Sequence, residues 1–387
     1  MKTPIRIVLA LGLLLLGAVP AISQGVLIGT IDVSGDGVAD NLYNSGSSLT
    51  VVRGNGGGTK AYFISSGSWS LVFGSSSSIV DLDGVTGAEI PVNAGNALLV
   101  ITDKTQSTKS YAFSGAWSVA PGGITDMDGL AGAEIAVLNG SYLTVVTQRL
   151  GSRTDYNIGP SWSIPSGGIK DLDGSSGAEI PIVNQTNLTI VTPRTGSTSN
   201  YPIGTTWSIV PTGITDMDGT AGAEIAIVNG TYLKVVTPRT GGTSSYLIGT
   251  TWAVATSGVN GVSDMDGVAG ADLAIVSGSS LIVVTPRSNA VNTYNMGNSF
   301  AILGDGIQDF DGFTGNDIAV SVSGSGQLRT IHPKDGTVYP YSTASTGSSW
   351  SLQGYANLDG VIGMEIKIYS FNLQKNLVVN DRNKTVQ

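Results

Sequence analysis

Gly213-Ile214-Thr215-Asp216-Met217-Asp218-Gly219-Thr220-Ala221-Gly222-Ala223-Glu224-Ile225-Ala226-Ile227-Val228-Asn229-Gly230-Thr231-Tyr232-Leu233-Lys234-Val235-Val236-Thr237 is the stretch that decides the fold. Gly213 to Thr215 leads into an acidic loop, and Glu224 to Val228 runs almost wholly apolar. Asn229-Gly230 is a type I′ hairpin signal, and Tyr232 to Thr237 reads as the third strand. Beyond the turn Pro238 to Gly242, a fourth strand is expected from about Tyr246 to Val254, carrying Trp252. Every segment between turns is too short, and too rich in Gly, Thr and Val, for a helix.

The acidic decapeptide of this stretch returns down the chain. Copies begin at Asp81, Asp126, Asp171, Asp216, Asp264 and Asp309, with a degenerate copy at Asn357 and a divergent first one at Asp32. The spacings are 45 to 49 residues, so eight repeats absorb residues 24–387 and leave nothing for a second domain. Four short strands at this period match a propeller blade rather than a helical solenoid. The expected fold is all-β: a single β-propeller of eight four-stranded blades, with seven blades as the alternative. The eighth repeat runs out near Val379, so its last strand is either missing or supplied by the residues after Asp381.

Composition narrows the chemistry. The 387 residues contain no cysteine and one histidine, His332, which excludes disulfide scaffolds, thiol nucleophiles and multi-histidine metal sites. The net charge of -9 argues against nucleic acid and anionic membrane as partners. Residues 1–23 have the form of a signal peptide: Lys2 and Arg6, an apolar run from Ile7 to Val19, then Pro20-Ala21-Ile22-Ser23. That run is too short to span a bilayer, so a secreted or periplasmic protein without membrane insertion is expected.

All but five of the 28 acidic residues lie in the repeated loops; Asp103, Asp155, Asp305, Asp335 and Asp381 are the exceptions. Two carboxylates at i and i+2 and a third at i+8, among glycines that permit a tight turn, gather oxygen ligands as a hard cation requires, and calcium is the natural candidate. The candidate ligands are Asp32, Ser34, Asp36 and Asp40; Asp81, Asp83 and Glu89; Asp126, Asp128 and Glu134; Asp171, Asp173 and Glu179; Asp216, Asp218 and Glu224; Asp264, Asp266 and Asp272; Asp309, Asp311 and Asp317; and Asp359 and Glu365. The competing reading is that these carboxylates accept backbone N–H bonds and cap a turn without metal.

At these residues the chain resembles the FG-GAP and VCBS-type repeats of integrin-like propellers, whose calcium loop reads Asp-x-Asp-x-Asp-Gly-x-x-Asp. The first copy matches best, with Asp32, Ser34, Asp36, Gly37 and Asp40 on positions one, three, five, six and nine. The others match at one, three and nine but place Val85, Leu130, Ser175, Thr220, Val268, Phe313 and Val361 at position five, and glycine at four and seven. The resemblance implies calcium between the first two strands of a blade, bound most tightly in the first loop. It also implies a ligand-binding face opposite the acidic loops.

Three other residue classes recur. Trp69, Trp117, Trp162, Trp207, Trp252 and Trp350 share one place with Phe300, and Tyr62, Tyr111, Tyr156, Tyr201, Tyr246 and Tyr294 open the expected fourth strand; packing explains both. Arg53, Lys104, Arg149, Arg194, Arg239, Arg287 and Lys334 fall in the turn between strands three and four, on the same face as the acidic loops, where they can pair with them.

The expected function is a secreted, non-catalytic, calcium-binding module for an extracellular protein or glycan. One alternative is a multivalent carbohydrate-binding lectin, since identical repeats multiply any weak site. A second is a polysaccharide-active enzyme, which should break the repeat symmetry with acid, base and orienting groups. The only irregularities are short extensions at residues 259–262 and 342–348, the stray acids Asp305 and Asp335, and the lone His332.

Overall fold

The computed structural model describes residues 25–64, 68–255, 261–323, 327–341 and 350–387. The leader expected over residues 1–23 lies outside them, as do residues 259 and 260 of the extension at 259–262 and all of that at 342–348. The chain forms two compact units, residues 1–116 and 117–387.

The fold is all-β, with eight successive four-stranded antiparallel sheets, one per repeat. In the first unit, sheet one comprises Val26–Ile31, Asp40–Asn44, Ser48–Val52 and Thr59–Phe63, and sheet two Ser70–Leu71, Ile90–Asn93, Ala97–Thr102 and Ser107–Ala112. The second unit holds the other six, of which sheet five is representative: Trp207–Thr215, Glu224–Asn229, Tyr232–Thr237 and Gly242–Leu247. In sheet six the first strand is broken into Trp252–Val254 and Val262–Ser263, both paired with Asp272–Ser277. The eighth sheet is complete: Thr385–Val386 pairs with Lys375–Asn380, so the residues after Asp381 do supply the last strand.

Burial follows the order of strands. In sheet five, Glu224 to Val228 are all buried, because the second strand is covered on both faces, whereas only Tyr246 is buried in the fourth. The fourth strands are edges, and their Ser, Thr and Lys residues discourage pairing with another chain. Within each unit, cores form between consecutive sheets. Leu188 and Ile190 of the fourth pack with Ile225 and Ile227 of the fifth, and Leu42, Leu49 and Val51 of the first with Ile90, Val92 and Ile101 of the second.

The structure moves the repeat boundary. Trp252 opens the first strand of sheet six rather than closing sheet five, and pairs with Ser277. The chain turns after Leu247, so the fourth strand is shorter than expected and Tyr246 lies near its end. The tryptophans have a further role. The indole N–H groups of Trp69, Trp162, Trp207 and Trp252 donate to Gly46, Gly140, Gln185 and Gly230, carbonyls in the second-to-third strand hairpin of the preceding sheet, at 2.5–2.9 Å. Asn184 and Asn229, at the first positions of two Asn-x-Thr sequons, donate their side-chain amides to the carbonyls of Ile158 and Ile203. These hairpins are thereby tied to neighbouring sheets.

Candidate functional site

The acidic loops of repeats two to seven share one construction, which repeat eight copies with Asn357 at position one, whereas repeat one has Ser34 at position three. The carboxylate at position one accepts the backbone N–H three residues on, as Asp81 does from Gly84 and Asp216 from Gly219, both at 2.7 Å. The carboxylate at position three accepts the N–H two residues on, as in Asp83 with Val85 and Asp218 with Thr220. Position nine is buried: Glu134 is 1% exposed and its Oε2 accepts from the N–H groups of Met127 and Asp128. Asx-type turns and caps therefore account for most of these oxygens.

Successive loops also lean on one another. Ala178 N–H donates to the carbonyl of Asp126 in the preceding loop, Ala223 to that of Asp171, Ala271 to that of Asp216 and Asn316 to that of Asp264, at 2.9–3.2 Å. A Cβ on Gly174 would lie 2.3 Å from the carbonyl oxygen of Ala221, and one on Gly222 would lie 2.7 Å from the nitrogen of Gly174. This close approach explains why glycine stands at positions four and seven, where the resembling family has it at six. The departure comes from contact between repeats, which a single repeat does not display.

Oxygen ligands do converge. Asp81, Asp83 and Glu89 bring ligand atoms within 4.8 Å of one another, as do Asp126, Asp128 and Glu134; Asp171, Asp173 and Glu179; Asp216, Asp218 and Glu224; and Asp311, Asp317 and His332, and each group could hold a metal ion. The all-oxygen sets suit a hard cation. Position five adds no side-chain ligand in repeats two, three, six and seven, where Val85, Leu130, Val268 and Phe313 are exposed apolar side chains.

The charge around these oxygens differs between repeats. In repeats three to six a guanidinium sits on the position-three carboxylate: Arg149 on Asp128 at 2.6 Å, Arg194 on Asp173 at 2.9 Å, Arg239 on Asp218 at 2.5 Å and Arg287 on Asp266 at 2.7 Å. In repeat seven His332 does this work, with Nδ1 3.1 Å from Asp311 and 2.9 Å from Asp317. In repeat one, Asp32 accepts from Ser34, Gly35, Asp36 and Gly37, while Asp40 accepts from Val33, Ser34 and Gly54. In repeat eight the Asn380 amide bridges Asp359 and Glu365.

Repeats one and eight thus meet their loops with neutral donors, and repeat two brings no side-chain donor of either kind to its position-three carboxylate among the described residues. Lys104 Nζ turns to the carbonyl of Thr86 at 3.0 Å, and among the described residues no cation pairs with Asp83. Arg53 does not take the place given to it with the turn arginines either. Strand register puts it level with Thr147, and Asn55 is the residue that reaches its loop, donating to Asp36.

Burial, reinforced by the neighbouring aspartates, pushes the carboxyls of Glu89, Glu134 and Glu179 up to about 7, although one backbone N–H or more opposes it. Glu179 Oε1 is buried with no hydrogen-bond partner, as an oxygen holding a proton or a cation would be. In the range from pH 4.5 to 7 the folded chain then binds protons that the unfolded chain has released. Stability in EDTA should therefore fall as pH rises through that range, by on the order of 1 kcal/mol per carboxyl. Melting temperatures at pH 5 and 7.5 check this, and an equal or higher value at 7.5 refutes it.

Two of the stray acids prove to be structural. Asp103 is fully buried and takes Arg53 Nη2 at 2.8 Å together with the Tyr62 hydroxyl. Asp381 takes His332 Nε2 at 3.0 Å, Thr330 Oγ1 at 2.6 Å and the Tyr341 hydroxyl. The same cluster thus joins repeats one and two and repeats seven and eight. In repeats three to six threonine replaces the cation, and Tyr246 and Tyr294 keep buried hydroxyls without a partner. Sequence reasoning missed these clusters because the partners come from different repeats and meet only when the third strands are placed in register.

Two clefts lie beside the bulges of the first strands. One, of about 660 Å³, is lined by Pro165, Trp207, Pro211 and Thr212, and the other, of about 780 Å³, by Asp305, Gln353 and Tyr355.

No protein-family model matches the chain, and no curated protein matches it. Solved structures do. Hsv2 of Kluyveromyces lactis is 10% identical with a TM-score of 0.30, covering 88% of this chain and 97% of its own. AztD of Citrobacter koseri is 12% identical with a TM-score of 0.29, covering 92% of each. The dihydro-heme d1 dehydrogenase NirN is 9% identical with a TM-score of 0.32, covering 80% of this chain and 62% of its own. At such identity and superposition none of them bears on function. Among the described residues no helix is long and apolar enough to cross a membrane.

Proposed function

We propose that the chain is an exported, non-catalytic β-propeller module that binds calcium at the acidic loop of repeat two and meets an extracellular protein or glycan through its loops. The observation that carries this reading is the cation missing from Asp83. Five other repeats set an Arg or His side chain against their loop carboxylates, whereas Asp81, Asp83 and Glu89 converge with Lys104 turned away. Three carboxylates at close range repel one another unless a proton or cation intervenes. Bound calcium would supply that charge, held by Asp81, Asp83 and Glu89, and would stiffen the junction with repeat one, where Ala88 N–H already meets the Asp32 carbonyl at 3.1 Å. Export rests on the leader-like residues 1–23, and the absence of catalysis on carboxylates that are committed to turns and ion pairs rather than poised as an acid and base.

Calorimetric titration of the mature chain with calcium tests the metal site. One ion per chain, abolished in Asp83→Asn and retained in Asp218→Asn, is the expected result. Binding that survives Asp83→Asn would place the ion elsewhere, and no binding at all would leave the loops as turn caps.

A further inference from the structure

We infer that the cleft between the bulged first strands of repeats seven and eight is a binding site for a non-acidic sugar. It rests on the reading of the chain as a binding module and gives that module a ligand class. The bulge lies in Phe300–Gln308, where pairing with Asp317–Val322 shifts between Ile302 and Ile307. The cleft's volume of about 780 Å³ is within the range of small-molecule sites. Its polar wall is made by Asp305, Gln308, Asn316, Gln353 and Tyr355, and no basic side chain lines it.

Three observations point to a hydroxyl-bearing ligand. The Tyr355 hydroxyl is buried and has no hydrogen-bond partner. It stands against Gly306, where a Cβ would come within 3.1 Å of it, so a larger residue there would crowd the phenol. A buried hydroxyl left unpaired is costly, and a shift of the Tyr355 side chain towards the cleft would let a ligand hydroxyl pair with it. Second, Asp305 carries a carboxylate at φ +53°, in the left-handed region, where the equivalent bulges of repeats three and four use Gly122 and Gly167 and that of repeat five the uncharged Thr212 at φ +58°. Gln308 Nε2 donates to the Asp305 carbonyl at 2.5 Å and fixes this turn, while the Asp305 side chain stays exposed at the cleft.

Third, the Asp305 carboxylate, the Asn316 amide and the amide oxygens of Gln308 and Gln353, whose Nε2 groups already donate to the Asp305 carbonyl and to Ser351 Oγ, put mainly acceptors on one wall for the hydroxyls of a sugar, and charge-assisted bonds to Asp305 would be the strongest. Leu352 and Met364 offer an apolar surface for the C–H face of a sugar ring. With one carboxylate and no cation, the cleft repels acidic sugars, and neutral or amino sugars fit it.

Saturation-transfer NMR on the mature chain with glucose, galactose, N-acetylglucosamine, glucosamine and glucuronate tests the site. At least one of the first four should bind, and glucuronate should not. Asp305→Gly copies repeats three and four, so it should fold with an unchanged or higher melting temperature and weaken binding about tenfold. Gln353→Ala should weaken it as well. The site is overturned if none of the sugars binds, if Asp305→Gly binds as well as the parent, or if glucuronate binds best. Calcium-dependent stabilisation without sugar binding would sink the site and spare the module reading. Cleavage of bound chitobiose, lost in Asp305→Gly, would uphold the site and overturn the non-catalytic reading.

Discussion

Asp381→Ala is expected to cost the chain about 3 kcal/mol, because it leaves Nε2 of a buried imidazolium, and the Thr330 and Tyr341 hydroxyls, without their acceptor while Nδ1 keeps Asp317. His332 is 2% exposed and Asp381 1%. Burial alone would lower the His332 pKa, but the hydrogen bonds that its ring donates to Asp317 and Asp381 outweigh it and raise the value to about 10. Bonds from His332, Thr330 and Tyr341 likewise overcome burial and hold Asp381 down at about 2. A histidine raised from 6.5 stabilises fully below 6.5 and loses that contribution as pH climbs through 10; an aspartate lowered from 3.8 contributes above 3.8 and loses it towards 2. The penalty should therefore be greatest between these two ordinary values and shrink on the alkaline side. Adding His332→Thr, the residue that repeats three to six use at this strand position, should recover part of the loss. Urea unfolding followed by tryptophan fluorescence reads both effects. A loss under about 1 kcal/mol, or a double variant that is simply additive, would show that the cluster does not act as a unit.

Gly219→Ala should destabilise by about 3 kcal/mol or more, against about 1 kcal/mol for Gly230→Ala. Both glycines have positive φ, +75° and +60°, so both substitutions carry the left-handed penalty. They differ in surroundings. A Cβ on Gly219 would lie 2.3 Å from the Ala269 carbonyl oxygen in the next acidic loop, whereas one on Gly230 meets nothing within 4 Å. The loops would have to part, weakening the Ala271 to Asp216 hydrogen bond. Thermal melts of the two variants side by side suffice as a check. Equal losses would mean that the loops can separate freely and that the contact between repeats is worth little.

Much of the architecture was legible because repetition multiplies a weak signal. No one of these short strands is convincing alone, but Asn139, Asn184 and Asn229 end their second strands in the same place in three repeats. Periodicity fixes spacing without fixing where a repeat is cut, and for that reason Trp252 was given to the wrong sheet. The candidate site divides along the same line. Convergence of Asp81, Asp83 and Glu89 within one loop could be read from their separations, since three residues of one turn cannot be far apart. The arginine on Asp128, the glycines held against a neighbouring carbonyl and the Asp103 and Asp381 clusters depend on contacts across strands or repeats. Residue types announce such contacts only after the register is known.

The tie from each indole to the preceding hairpin and the amide contact between successive acidic loops act at opposite ends of a sheet. Trp162, Trp207 and Trp252 make the first, and Ala178, Ala223 and Ala271 the second, in the same way at each junction. A gene encoding such a chain can gain or lose a central copy by unequal recombination and still specify junctions that already work. The buried ion-pair clusters confine novelty to the outer pairs of repeats, so drift in the number of copies is buffered in the middle of the array and constrained at its ends.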